Sequence, residues 1–93
     1  MSLLNVVIWG LGGHAQNRIL PALSAMDEIK LIGVCSRNDR VVDACMKKWN
    51  CYGWNDPQQM LNSTEVDIVY IATPIGIHFS LAKQALEAGK HVW

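Results

Sequence analysis

The chain contains 93 residues, of which 51% are hydrophobic and 17% are charged, a composition typical of one small globular domain. Eight basic residues balance eight acidic residues without forming a stripe, which excludes a surface that tracks nucleic-acid phosphates. No apolar stretch approaches the ~20 residues of a membrane span, and "MSLLNVVIWG" lacks the charged region and cleavage site of a signal peptide.

The cysteines bear on the cellular compartment and on metal binding. Cys35, Cys45 and Cys51 are odd in number, and no pair has CxxC spacing. Reduced cysteines in a cytoplasmic protein are therefore favoured over a disulfide or a metal site. We predict a cytoplasmic location and no bound metal.

The first third of the chain predicts a strand, a helix and a second strand. The run "LNVVIW" from Leu4 to Trp9 is almost wholly apolar, as in a strand buried on both faces, and it stops at Gly10. Pro21 is expected to kink or loosen the following helix, because it removes one backbone donor. A second apolar strand, "LIGVC", runs from Leu31 to Cys35. The predicted apolar face of the helix comprises Ala15, Ile19, Ala22, Leu23 and Met26.

Two further helices flank a short third strand, "CYGW". Asn38 or Asp39 can cap the first of them. Pro57 stands where the second can start, with Asp56 as its cap and Met60 and Leu61 as its apolar face. The apolar face of the first comprises Val42, Cys45, Met46 and Trp49.

The last third predicts the clearest strand, "VDIVYIA", then a helix from Ile77 to Ala88 that Gly89 ends. The apolar stripe of this helix comprises Leu81, Ala85 and Leu86, and "KHVW" begins a fifth strand. Strands that alternate with helices at this spacing predict an α/β fold with a doubly wound parallel sheet. The expected strand order is 3-2-1-4-5, which is half to two-thirds of a doubly wound nucleotide-binding fold.

The segment "GLGGHA" follows the first strand directly and fits the pattern G-x-G-x-x-[GA]. Gly10 permits a tight turn, Gly12 lets a pyrophosphate approach the backbone, and Ala15 lets the helix pack closely on the sheet. The amides from Gly12 to His14, with Gly13 between them, lie at a helix N-terminus that favours an anion. We predict dinucleotide binding; the alternative is a plain turn. His14 is interpreted as a solvated donor rather than as a catalyst.

Ser36 and Arg37 follow the second strand, where NAD-selective folds place an acid that binds the ribose 2′-hydroxyl. A hydroxyl beside a guanidinium suits a 2′-phosphate, so NADP(H) is favoured over NAD(H). Two alternatives stay open: Asp39 could serve NAD, and Arg37 could be a solvated surface charge.

Thr73 and Pro74 lie at the C-terminal end of the fourth strand, where ligands bind in open α/β sheets. Four segments of the sequence carry a resemblance: they are "GLGGHA", the "SR" after strand two, "D-x-V-x-I-A-T-P-x-x-x-H" from Asp67 to His78 and "A-L-x-A-G-K-H-V" from Ala85 to Val92. In these segments the chain resembles the N-terminal Rossmann domain of the Gfo/Idh/MocA oxidoreductases.

The resemblance implies a role for each matching motif. The glycine loop would hold the pyrophosphate, through Gly10, Gly12 and Gly13. The segment after strand two, Ser36 and Arg37, would hold the adenosine ribose. Thr73 and Pro74 would touch the nicotinamide ribose, and His78 would lie close to the same pocket. Alternatively, His78 simply caps or lines the first turn of the last helix.

The resemblance also implies that the chemistry lies partly outside these 93 residues. In the family the fifth strand leads into a Glu-Lys-Pro motif, whose lysine contacts substrate and cofactor, and then into a substrate domain. We therefore expect a truncated fold, in which residues 1–93 form an NAD(P)-binding domain and the substrate domain and the catalytic lysine are absent. Within this chain, His78 is a candidate pocket-lining residue. Such a piece is expected to be marginally stable or to form homo-oligomers.

The expected parent protein is an oxidoreductase that transfers hydride between the nicotinamide and a sugar, an inositol or a related diol or carbonyl compound. A dinucleotide-binding regulatory module without turnover is the alternative. A methyltransferase or flavin protein is disfavoured, since adenosine-binding methyltransferases usually carry an acid at the end of strand two.

Overall fold

The computed structural model describes residues 3–73 and 75–93. Pro74, one of the predicted cofactor-binding residues, lies outside the described residues. The strands are β1 (Leu4–Trp9), β2 (Ile29–Cys35), β3 (Tyr52–Trp54), β4 (Ile68–Ile71) and β5 (His91–Val92). A π-helical segment (Ala15–Ile19) leads into α1 (Leu20–Ser24), and the later helices are α2 (Asp39–Trp49), α3 (Pro57–Asn62) and α4 (Ile75–Glu87).

The strands form a single parallel sheet in the order β3-β2-β1-β4-β5, which confirms the predicted topology. The register brings Trp9 opposite Cys35 on one side and opposite Ile71 on the other. Strands β1, β2 and β4 therefore end at the same edge of the sheet. Farther back along β1, Val6 pairs with both Leu31 and Ile68.

Strand β1 is buried on both faces, as its apolar run predicts. On one face Val7 packs in a cluster with Met60 of α3 and Ala85 of α4. On the other face Ile8 packs in a cluster with Leu20 of α1 and with residues of α2. Each fully buried aliphatic side chain of this kind stabilises the fold by roughly 1.5–3 kcal/mol. The helices thus cover both faces of the sheet, and the doubly wound α/β class is confirmed.

Polar caps fix where the middle helices begin and end. Asn38 Oδ1 accepts the backbone N–H groups of Arg40 and Val41 at 3.2 and 3.3 Å, so Asn38 is the cap of α2. Asp56 caps α3 in the same manner, as predicted. Asn50 ends α2 in the left-handed conformation, with φ 51°.

The prediction of which residues form the apolar face of the first helix is wrong in part. Ala22 and Met26 are exposed, whereas Leu20 is fully buried. The cause is the π-helical segment, in which the Leu20 N–H donates to the Ala15 carbonyl, five residues back. Each turn of this kind holds more residues than an α-helical turn, so the buried positions shift along the sequence. Pro21, predicted to loosen the helix, lies just after this segment, in the first turn of α1.

Several boundaries also differ from the prediction. Strand β2 begins at Ile29 rather than Leu31, β4 is shorter than "VDIVYIA", and α4 begins at Ile75. Leu86, predicted to be in the apolar stripe of α4, is 62% exposed. Leu81 and Ala85, also predicted for the stripe, do pack in the core cluster, and Ala82 packs there in place of Leu86.

None of the helices in the described ranges, 3–73 and 75–93, is long and apolar enough to cross a membrane.

Candidate functional site

The predicted binding residues follow strands that end together, and backbone hydrogen bonds hold the segments side by side. The Gly10 N–H donates to the Cys35 carbonyl at 2.9 Å, and the Ala72 N–H donates to the Trp9 carbonyl at 2.9 Å. The Ser36 N–H donates to the Trp54 carbonyl at 3.1 Å. The glycine loop is thus flanked by the segment after β2 on one side and by the segment after β4 on the other.

Gly10 is the residue that joins the glycine loop to the segment after β4. Its φ is +108°, a conformation that residues with a Cβ rarely adopt. A Cβ at this position would lie 2.8 Å from Thr73 Cγ2 and 2.9 Å from the Ala72 carbonyl carbon. Both the turn and the close approach of Thr73 therefore require glycine here.

Gly12 and Gly13 have a different environment. A Cβ added to either would meet no atom within 4 Å among the residues that the structure describes. The helix starts here, since the Gln16 N–H donates to the Gly12 carbonyl at 3.0 Å, and the Gln16 side chain donates to the Leu11 carbonyl at 2.7 Å. The first amides of a helix have no partner within the helix, so these glycines offer an anion both donors and room.

His14 lies next in the first turn and is exposed, with helical angles φ −63° and ψ −44°. Its side chain makes no capping hydrogen bond within the described part of the chain. His14 is thus an exposed residue beside the glycine loop, and its role as a solvated donor stays a prediction.

A cleft of about 460 Å³ opens at this edge of the sheet. The segments that follow the strands contribute Gly10, Ser36, Arg37 and Thr73, so the structure brings these four predicted residues together. Gly12, Gly13, His14 and His78 are not among the described residues that line it. A wider groove of about 610 Å³ lies at the opposite end of β4 and β5, remote from the glycine loop.

Sequence reasoning missed the wall of the cleft formed by α4. Ile77, Ser80, Leu81 and Gln84 line it, together with Pro57 at the start of α3. These α4 residues recur at the spacing i, i+3, i+4 and i+7, so they share one helix face. That periodicity is visible in the sequence and could have identified them once Thr73 was placed at the site.

Ser36 and Arg37 take different positions at the other wall. Ser36 is half-buried, and its Oγ accepts the Asn38 N–H at 3.2 Å. Arg37 is exposed, and none of the ion pairs found among residues 3–73 and 75–93 involves it. Asp39 accepts a hydrogen bond from Asn55 Nδ2 at 2.8 Å and lies in a separate depression beside β3. Arg37, rather than Asp39, therefore faces the cleft.

The side chain of Thr73 carries an unsatisfied polar atom. Its Oγ1 is buried, and the described residues give it no hydrogen-bond partner. A buried hydroxyl without a partner costs roughly 1–3 kcal/mol. The Thr73 carbonyl, in contrast, accepts a hydrogen bond from His78 Nε2, and His78 is half-buried. His78 thus contacts the backbone of the turn after β4.

Cys35 ends β2 just behind the cleft and is not a candidate nucleophile. Burial, with a smaller contribution from the negative charge of Asp56, raises the pKa of its thiol to about 12. The thiol is therefore protonated at neutral pH, and thiolate is the reactive form. Cys35, Cys45 and Cys51 are all free, and the described residues contain no cluster of three or more His, Cys, Asp or Glu that could hold a metal ion.

A glycine loop that follows the central strand of a doubly wound parallel sheet is the arrangement found in dinucleotide-binding α/β domains. The chain belongs to the Gfo/Idh/MocA oxidoreductase family, whose NAD-binding Rossmann fold matches residues 4–93. The predicted resemblance is confirmed.

Relatives of known name match nearly the whole chain. D-glucoside 3-dehydrogenase of Escherichia coli K12 is 33% identical over 96% of the chain, and dTDP-3,4-didehydro-2,6-dideoxy-alpha-D-glucose 3-reductase of Streptomyces violaceoruber is 32% identical over 96%. The chain spans 26% of the length of each of these two relatives. It therefore corresponds to about a quarter of each.

A solved structure has the same fold. KijD10, a 3-ketoreductase from Actinomadura kijaniata crystallised in complex with NADP, superposes with a TM-score of 0.92 at 27% identity. The superposition covers 98% of this chain and 29% of that chain.

Proposed function

We propose that residues 1–93 form the cofactor-binding domain of an NADP(H)-dependent oxidoreductase that acts on a sugar, an inositol or a related diol or carbonyl compound. The observation that carries the proposal is the cleft in which Gly10, Arg37 and Thr73 come together. Membership in an NAD-binding oxidoreductase family supports it, as do the sugar-related names of the relatives.

The residues of the site fit a dinucleotide. The amides from Gly12 to His14 would bind the pyrophosphate, because a Cβ at Gly12 or Gly13 would enter space that no described atom fills. Ile77 and Leu81 give the cleft an apolar wall that suits a planar ring. Nicotinamide supplies the hydride when the dinucleotide is bound. We assign this chain binding and orientation of the cofactor, and no catalytic residue.

The choice of NADP(H) over NAD(H) depends on Arg37. It is exposed at the rim of the cleft, and the described structure gives it no carboxylate partner, so its guanidinium can approach a 2′-phosphate. Asp39, the residue that would favour NAD, is engaged by Asn55. A hydrogen bond to a charged group contributes roughly 1.5–3 kcal/mol, which corresponds to about 10- to 150-fold in affinity.

The test is a titration of the protein with NADPH and with NADH, followed by calorimetry and by tryptophan emission. We expect tighter binding of NADPH, and we expect Arg37→Gln to reduce NADPH affinity by about tenfold or more while leaving NADH unchanged. Arg40→Gln is the matched control, because it removes the same charge from the exposed start of α2, outside the described lining of the cleft.

Three results would contradict the proposal. If Arg37→Gln and Arg40→Gln weaken NADPH equally, general electrostatics rather than a local contact sets the preference. If NADH binds more tightly and Asp39→Asn weakens it, the acid is the selecting residue. Failure of the folded protein to bind either dinucleotide would refute the assignment of the cleft itself.

We further propose that the protein is cytoplasmic, which its three free cysteines support. Self-association is proposed from its exposed apolar side chains. Leu4, Leu86 and Trp93 are 48%, 62% and 47% exposed around the groove at β5. Contiguous apolar surface of this kind favours contact with another protein surface.

A further inference from the structure

The methyl group, the carbonyl and the hydroxyl of Thr73 have different surroundings, and the first two contact neighbouring residues. The methyl group lies against the Cα of Gly10, where any Cβ would collide with it at 2.8 Å. The carbonyl accepts a hydrogen bond from His78 Nε2. The hydroxyl is the third group, and it is buried without a partner in the described structure.

His78 itself takes no part in the described lining of the cleft, although Ile77 beside it does. Its ring contacts the turn after β4 through its described hydrogen bond, the one to the Thr73 carbonyl. Within the described part of the chain, the hydrogen bond to Thr73 is therefore the route by which His78 can affect a ligand in the cleft. An Nε2–H is present both in one neutral tautomer of histidine and in the imidazolium, so this bond does not require a protonated ring.

We propose that His78 is a positioning residue: by holding the Thr73 carbonyl while Gly10 accommodates the Thr73 methyl, it aims the Thr73 hydroxyl at the bound dinucleotide. The inference rests on the proposed cofactor-binding function. It assigns His78 neither contact with the cofactor nor proton transfer.

The topology specifies which half of the dinucleotide should respond. Thr73 follows β4 and Arg37 follows β2, on opposite sides of the glycine loop after β1. In a doubly wound sheet the two mononucleotide halves lie on opposite sides of the central loop. Loss of His78 should therefore affect the half on the Thr73 side and leave the adenosine half unchanged.

The experiment compares two probes, NADPH and adenosine 2′,5′-bisphosphate, by isothermal titration calorimetry. We expect His78→Leu to weaken NADPH by about tenfold, the loss expected for one hydrogen bond of this kind, and to leave the bisphosphate within about twofold. His78→Gln retains an N–H donor of similar reach, so it should restore most of the NADPH affinity.

A double-mutant cycle separates positioning from ordinary structural support. Thr73→Val keeps the methyl group against Gly10 and removes the hydroxyl that His78 is proposed to aim. In the Thr73→Val background, His78→Leu should cause no further loss of NADPH affinity, because residues acting through one another are not additive.

Several outcomes would overturn the inference. These are equal weakening of both probes, no weakening of NADPH, a full additional loss in the Thr73→Val background, or a His78→Gln variant as poor as His78→Leu. If His78→Leu does not fold, as judged by circular dichroism, His78→Ala, which also removes the N–H donor, takes its place in the cycle. An equal loss of NADPH affinity in the wild-type and Thr73→Val backgrounds then refutes the coupling. A wild-type protein that binds neither probe would refute the proposed function, and this inference with it.

Discussion

Replacing Gly10 or Gly12 with alanine should separate the two tasks of the glycine loop. The same methyl group is added in each variant, two residues apart. At Gly10 it must adopt a φ of +108° and approach the Ala72 carbonyl oxygen to 3.0 Å and the Thr73 methyl to 2.8 Å. At Gly12 it enters space in which no described atom lies within 4 Å. Gly10→Ala should therefore damage the fold, and Gly12→Ala should damage binding.

The expected loss for Gly10→Ala has two parts. Holding a residue with a Cβ in a sparsely populated backbone region costs about 1–3 kcal/mol. Overpacking against the Ala72 backbone, which cannot move aside as a flexible side chain can, costs about 1–3 kcal/mol more. The sum, about 2–6 kcal/mol, is a large share of the roughly 5–14 kcal/mol expected for a chain of this length. The midpoint of thermal unfolding should fall by about 10 °C or more.

Gly12→Ala is the matched control. Without strain or overlap, its free energy of unfolding should change by less than about 1 kcal/mol, and a small gain is possible because alanine restricts the unfolded chain. Its affinity for NADPH should nevertheless fall by about tenfold or more, since the methyl occupies the proposed path of the pyrophosphate.

The assay is urea unfolding followed by tryptophan emission, with NADPH titration on the same preparations. The reasoning is refuted if Gly10→Ala unfolds within about 1 kcal/mol of the wild type, or if Gly12→Ala is destabilised as much as Gly10→Ala. Unchanged NADPH affinity in Gly12→Ala would refute the proposed pyrophosphate site but leave the structural role of Gly10 intact.

Three further predictions concern stability and association. Asn38→Ala removes the acceptor for two amides of α2 and should lower the free energy of unfolding by about 1 kcal/mol in urea; no change would mean that water replaces the cap. The pKa of Cys35 is raised from 9.0 to about 12 in the fold, so the unfolded chain loses its proton first, and stability should be constant below pH 9 and fall as pH rises from 9 to 12. Cys35→Ala should flatten that fall in alkaline unfolding curves, and an equal slope would contradict the assignment. Leu86→Glu, a charge on an exposed apolar position, should lower the weight-average mass in sedimentation equilibrium if this side of the protein self-associates; an unchanged mass would place the contact elsewhere.

The topology of the fold could be predicted because local signals agree with it. Apolar runs such as Leu4–Trp9 match strands buried on both faces, and glycine, proline and capping residues mark the ends of elements. Asp56 caps the helix assigned to it, and Asn38 is one of the two residues predicted to cap α2. These features depend on residues close together in the chain, so a single sequence contains them.

The errors arose where a local irregularity or a tertiary contact decides the outcome. The π-helical segment shifts burial from Ala22 and Met26 to Leu20, and a regular 3.6-residue period does not anticipate such a shift. The exposed Leu86 has the right residue type for the core, but it lies outside the contact between α4 and the sheet.

The candidate site, like the fold, was predictable where strand order decides it and not where a local conformation does. Gly10, Ser36, Arg37 and Thr73 follow strands whose ends must meet, so strand order alone brings them together. The hydrogen bond from His78 to the Thr73 carbonyl depends on the conformation of the turn between them, which the sequence pattern does not specify.

The register of β1 has a consequence for the order in which the protein assembles. Val6 pairs with Leu31 in β2 and with Ile68 in β4, and the second pairing closes a stretch of chain more than twice as long. Closing the longer stretch costs more chain entropy, and during synthesis β4 leaves the ribosome well after β2. The β1–α1–β2 unit, with the glycine loop and Arg37, can therefore assemble first, while Thr73 joins only when β4 docks beside β1. The nascent chain would then acquire its two nucleotide-binding walls one after the other, and a dinucleotide would be recognised in full only after the later pairing.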